Sequence, residues 1–71
     1  MDVIKVIIAD DHLLFREGLK RILSLEKDIL VIGEAASFDE TIQICASLRP
    51  DILLLDLKMP VGDVAEALRN L

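Results

Sequence analysis

The chain has 71 residues, 54% of them apolar, and a net charge of −5, so it fits one small folded domain and excludes a multi-domain enzyme. The negative charge repels phosphate backbones and anionic lipid, and with Phe15 and Phe38 as the whole aromatic set no stacking platform for single strands exists; direct nucleic-acid contact by this segment is not expected. No apolar run reaches the ~18 residues of a membrane span, and a single cysteine, Cys45, forms no internal disulfide, which fits a reducing, cytoplasmic setting.

The first element is the β-branched run Val3 to Ala9, which ends in Asp10-Asp11. Its apolar residues are continuous rather than alternating, the mark of a strand covered on both faces, as in a parallel sheet. A helix follows, because Phe15, Leu19, Ile22 and Leu23 recur at three- and four-residue spacing, with Arg16, Glu17, Lys20 and Arg21 placed mostly on the other faces. Gly18 lies inside that helix and costs about 1 kcal/mol against Ala. Ile29 to Gly33, ending in Glu34, predicts the second strand. Ser37-Phe38-Asp39-Glu40 has the form of a capping box and opens a second helix with Ile42, Cys45 and Ala46 inward. That helix stops before Arg49-Pro50, since proline forces extended geometry on the residue before it. Ile52 to Leu55 is the third strand and ends in Asp56, and a third helix is expected over 63–71, with Val64, Ala67, Leu68 and Leu71 on one stripe.

Three strand-then-helix units predict an α/β fold with right-handed crossovers. In the flavodoxin-like arrangement the first strand lies between the other two, giving the order 2-1-3. The carboxyl ends of strands one and three are then neighbours, which brings Asp10, Asp11 and Asp56 together although 45 residues separate Asp11 from Asp56.

Each acid taken singly has an ordinary structural role open to it, and Asp11 could simply cap the first helix. Together, at the switch point where α/β folds bind ligands, they suggest a hard divalent cation, because clustered carboxylates repel unless a cation intervenes. Magnesium held by Asp11 and Asp56, with Asp10 acting through water, would draw a phosphoryl group toward a carboxylate nucleophile. The residues alone leave open which carboxylate that is. His12 reads as a solvent-facing residue at the helix start, Cys45 as core, and Met59-Pro60 as residues that shape the loop after Asp56.

The stretches Lys5-Val6-Ile7-Ile8-Ala9-Asp10-Asp11-His12, Phe15-Arg16-Glu17-Gly18-Leu19, Val31-Ile32-Gly33-Glu34-Ala35 and Pro50-Asp51-Ile52-Leu53-Leu54-Leu55-Asp56-Leu57-Lys58-Met59-Pro60 resemble the receiver domain of bacterial two-component response regulators. The Asp-Asp-His start with Arg-Glu-Gly-Leu is similar to the subfamily whose members carry a LuxR-type helix-turn-helix. The resemblance spans residues 1–71 and implies the first three βα units of a receiver, without the fourth and fifth units and their switch Ser or Thr and Lys. It implies Asp56 as phosphoacceptor for a histidine kinase, Mg2+ as cofactor on Asp11, Asp56 and the backbone carbonyl of Lys58, and Asp10 acting through water. It implies a regulatory phosphoacceptor rather than an enzyme, although magnesium-dependent self-phosphorylation is open to it. In receivers the first helix commonly docks the kinase, which gives Leu13 and Arg16 a possible partner role. Val61-Gly62 and Val64 depart from the family pattern, where glycine is usual after Met-Pro and again eight residues past the acceptor. With nothing on its far side, the apolar third strand has an open edge, so a homo-oligomer joining third-strand edges is expected. The alternative function is an incomplete receiver that serves only as a dimerisation or interaction module.

Overall fold

The Val6 to Ala9 run is apolar on both faces because it occupies the middle of the sheet. In the computed structural model, which describes residues 2–59 and 68–69, β1 (Ile4–Ala9) is flanked by β2 (Ile29–Ala35) and β3 (Ile52–Leu55), all parallel, in the order β2-β1-β3. Val6, Ile7, Ile8 and Ala9 are buried, with Ile7 wholly inaccessible. The expected strand order and α/β class are those found.

Register is set from both ends. Ala9 lies opposite Ala35 on one side and Leu55 on the other, and Val6 lies opposite Val31 and Ile52. Asp51 clamps the entry of β3: its amide donates to the Lys5 carbonyl at 2.8 Å and its carboxylate accepts from the Lys5 amide at 2.8 Å. Between Val6 and Ile7 the β2 register shifts, so Ile7 meets Gly33 and Ile32 is passed over. A Cβ on Gly33 would lie 2.6 Å from Ile44 Cδ1 and 3.2 Å from Leu48 Cδ1, so glycine there permits the close approach of the second helix.

The helices are α1 (Leu13–Leu23) and α2 (Phe38–Leu48). Because the strand order reverses direction at β1, right-handed crossovers put them on opposite faces of the sheet. The capping box forms in a shifted version. Ser37 Oγ accepts from the Glu40 amide at 3.4 Å, while Glu40 Oε1 reaches back to the Ala36 amide at 2.9 Å, one residue earlier than the standard partner. Ser37 Oγ also donates to Asp39. At the other end the helix stops before Arg49-Pro50, but Arg49 is not extended as expected: it takes the left-handed conformation, φ 51°, with its amide donating to the Cys45 carbonyl at 2.9 Å to close the last turn.

Both helical faces differ in part from expectation. In α2 Ile42 and Cys45 are half-buried as expected and Phe38, Thr41 and Ile44 join them, whereas Ala46 is exposed. Burial pushes the Cys45 thiol up. In α1 Leu19 and Leu23 are half-buried, but Phe15 and Ile22 remain 57% and 63% exposed. Arg16 and Lys20, expected on the solvent side, turn to Glu34 of β2, and Phe15 and Leu19 line an open groove with Leu54 and Leu55 of β3.

Met59 is buried and packs with Ala9, Ala35, Phe38 and Ile44. It therefore ties the loop after Asp56 to the core, a larger role than loop shaping. Of the expected third helix, Leu68 and Arg69 are helical; Pro60, Val61, Gly62, Val64, Ala67 and Leu71 lie outside the described residues.

Candidate functional site

The strand ends are laced together by backbone. The Asp10 amide donates to the Ala35 carbonyl at 2.9 Å, and the Asp56 amide donates to the Ala9 carbonyl at 2.9 Å. Parallel neighbours lie about 4.8 Å apart, so this lacing places side chains from positions 10, 11 and 56 on one rim. One ligand atom each from Asp10, Asp11, His12 and Asp56 falls within 4.8 Å of all the others. The three acids are thus brought together as the topology demands.

Their environments differ. Asp10 is buried, and its Oδ1 accepts from the His12 amide at 2.8 Å and from His12 Nδ1 at 3.0 Å. The His12 amide, its imidazole and the Arg16 charge hold the Asp10 carboxyl below the usual carboxylate range, against the opposing effect of burial. Asp11 is more open, with its side chain 33% exposed. It does not cap α1; that position belongs to His12, whose side chain makes no cap hydrogen bond. Asp56 divides its two oxygens: Oδ1 accepts from the Lys58 amide at 2.9 Å, and Oδ2 turns toward the cluster, 4.0 Å from His12 Nδ1.

His12 lies among the acids rather than merely beside them. Nδ1 is 3.0 Å from Asp11 Oδ1 as well as from Asp10 Oδ1, and the Asp10 hydrogen bond, with the Asp11 and Asp56 charges, raises its pKa. Three carboxylates against at most the one positive charge that His12 can carry leave the rim negative. The donor set, three carboxylates within reach of one another, is of the oxygen type that magnesium takes.

Arg16 stood in the sequence only as a possible partner-docking residue and Glu34 only as the end of strand two; their pairing beside the acids was missed. Arg16 Nε donates to Glu34 Oε1 at 3.0 Å and its Nη1 donates to the Asp10 carbonyl at 2.6 Å. Lys20 Nζ donates to Glu34 Oε2 at 2.8 Å and pairs with Glu17 at 2.9 Å. The available signal was an acid closing strand two and a base one turn into helix one, both at the same end of the sheet. Below the acids, Ile8, Phe15, Leu19, Leu54 and Leu55 line an open groove of about 600 Å³.

The profile of the response regulator receiver domain matches residues 6–71. The chain belongs to the response regulator receiver family. This receiver is 38% identical over 68 residues to the transcriptional regulatory protein DegU of Brevibacillus brevis, covering 96% of this chain and 29% of that protein. It is 41% identical over 66 residues to the nitrate/nitrite response regulator NarL of Escherichia coli K12, covering 93% of this chain and 31% of that one. Among solved structures, the signal receiver domain of NarL from Mycobacterium tuberculosis superposes with a TM-score of 0.82 at 39% identity, over 99% of this chain and 59% of that one. The chain thus spans about a third of the length of these curated relatives. Among the described residues no helix is long and apolar enough to cross a membrane.

Proposed function

We propose that this receiver accepts a phosphoryl group on Asp56 from a histidine kinase, with Mg2+, and so controls a transcriptional output carried elsewhere in a longer polypeptide in the cytoplasm. One observation carries the reading: Asp56 presents Oδ2 to an acid pair that the sheet delivers from 45 residues earlier, while Oδ1 is committed to the Lys58 amide. On this reading Asp56 Oδ2 forms the new oxygen–phosphorus bond as the phosphorus–nitrogen bond of a phosphohistidine breaks. Asp11, Asp56 and the Lys58 backbone carbonyl are the residues that would hold the ion, and Asp10, kept ionised by His12, would hold one of its waters. When bound, magnesium supplies positive charge to the transferring phosphoryl oxygens. Residues 1–71 then form the first three βα units of the receiver. No direct nucleic-acid contact is assigned to them.

The test is intact-mass measurement after incubation with a small phosphodonor and Mg2+. One phosphoryl increment is expected on the wild-type protein and none on Asp56→Asn. An equal increment on the variant, or no increment on folded wild type, would overturn the assignment.

A second reading, an interaction module, draws on β3. Its four residues are 37–45% exposed and, among the described residues, pair with β1 alone, an edge suited to joining a second copy in an antiparallel seam. Light scattering over a concentration series would show a dimer; a monomer throughout removes this reading.

A further inference from the structure

The Asp10–Asp11 peptide lies just beyond the last pairing of β1, Ala9 with Ala35, so the sheet ladder no longer dictates how that peptide is turned. Its carbonyl is held instead by Arg16 Nη1, at 2.6 Å. The guanidinium is itself fixed, because Nε bonds Glu34 Oε1 at 3.0 Å and the other Glu34 oxygen is held by Lys20 at 2.8 Å. The Arg16 side chain is 15% exposed, so a charge has been largely withdrawn from water at the rim of a site that would take a cation. Fixing the Asp10 carbonyl fixes the peptide plane that leads into Asp11, whose own side chain is the open one of the pair.

Resting on the metal-site reading above, we propose that Arg16 is a positioning residue: through the Asp10 carbonyl it sets the peptide plane that aims the Asp11 carboxylate at Asp56, and thereby builds the Mg2+ site. Glu34 and Lys20 form the brace that holds the guanidinium in place. A planar fork with donors in two directions is required, which lysine does not provide.

The proposal predicts a sign that charge alone reverses. Arg16 is positive, so as a bare charge it opposes a divalent cation, and neutralising it would tighten binding. As a positioning residue its loss weakens binding, by about tenfold for an outer contact that orients a ligand. The experiment titrates Mg2+ into the intact chain and follows the Asp11 and Asp56 amide resonances, with circular dichroism recording that each variant is folded. Arg16→Gln and Arg16→Lys are both expected to raise the Mg2+ dissociation constant about tenfold, and in metal-free protein both shift the Asp11 amide and speed its hydrogen exchange. Binding by folded Arg16→Gln that equals or exceeds wild type overturns the proposal, and so does full retention by Arg16→Lys. If Arg16→Gln does not fold, Glu34→Gln, which keeps Arg16 and weakens its brace, must show a smaller rise in the same direction, and no rise overturns it. A wild-type protein without any Mg2+ response would bring down the metal-site reading and this one together, whereas equal responses in wild type and variants would remove only the role of Arg16.

Discussion

Met59 offers the sharpest test of how the site loop is anchored. It is 4% exposed and packs with Ala9, Ala35, Phe38 and Ile44, three residues after Asp56. Met59→Ala removes three heavy atoms; at about 0.8 kcal/mol per buried methylene equivalent the transfer loss is about 2.4 kcal/mol. A cavity adds to that, giving about 2.5–4 kcal/mol, inside the range for buried Met to Ala. Against a total of about 4–11 kcal/mol for a chain of this length, that is a large fraction. Urea unfolding followed by far-UV circular dichroism should show the midpoint falling at an unchanged slope. Met59→Leu, which conserves volume, should lose less than about 1.5 kcal/mol. A loss below about 1 kcal/mol for Met59→Ala would mean that the loop is not pinned through this side chain.

Other perturbations probe the charged parts. The Lys20 and Arg16 hydrogen bonds hold the Glu34 carboxyl below the ordinary glutamate range; its contribution to stability is therefore present above about pH 4.3 and is lost as pH falls through the lower folded value. Glu34→Gln should cost about 1 kcal/mol at neutral pH, and the gap to wild type should close in acid; a gap independent of pH refutes the pairing. His12, raised by Asp10, adds stability below its ordinary value near 6.5 that is lost as pH rises through the higher folded value. Its imidazole titration, read by NMR, should have a midpoint above about 6.5, and Asp10→Asn should lower it; an unmoved midpoint would contradict the contact. Gly18→Ala should raise stability by about 0.5–1 kcal/mol, because a Cβ there meets nothing within 4 Å in the middle of α1; an unchanged melting temperature counts against this.

The parts legible in the sequence were those whose signal is local or imposed by topology. The Val6 to Ala9 run announced a strand buried on both faces, Ser37 and Glu40 announced a helix start, and Pro50 a helix stop. The acid cluster followed from strand order alone. Features that depend on which elements meet were hidden. Periodicity put Arg16 on the outer face of α1, but its partner is Glu34, 18 residues away on another element. Phe15 likewise lines an open groove instead of a packed face, and Ile22 stays exposed. Nothing near Ile32 marked the register shift except the glycine after it, whose purpose appears only when Ile44 and Leu48 lie against it. Met59 carries no local sign of burial, since its packing partners come from β1, β2 and α2.

The two banks of the acid rim are unequally moored. Asp10 and Asp11 follow the central strand, held on both sides, whereas Asp56 follows a four-residue strand joined, among the described residues, to β1 alone. Fraying should begin at the weaker mooring, so the first excursion of this sheet carries Asp56 away from its partners while the acid pair stays put. Amides of Leu53 to Leu55 are expected to lose hydrogen-exchange protection before those of Ile7 and Ile8. The acid cluster then has a lifetime set by the hold of one short strand, not by global unfolding.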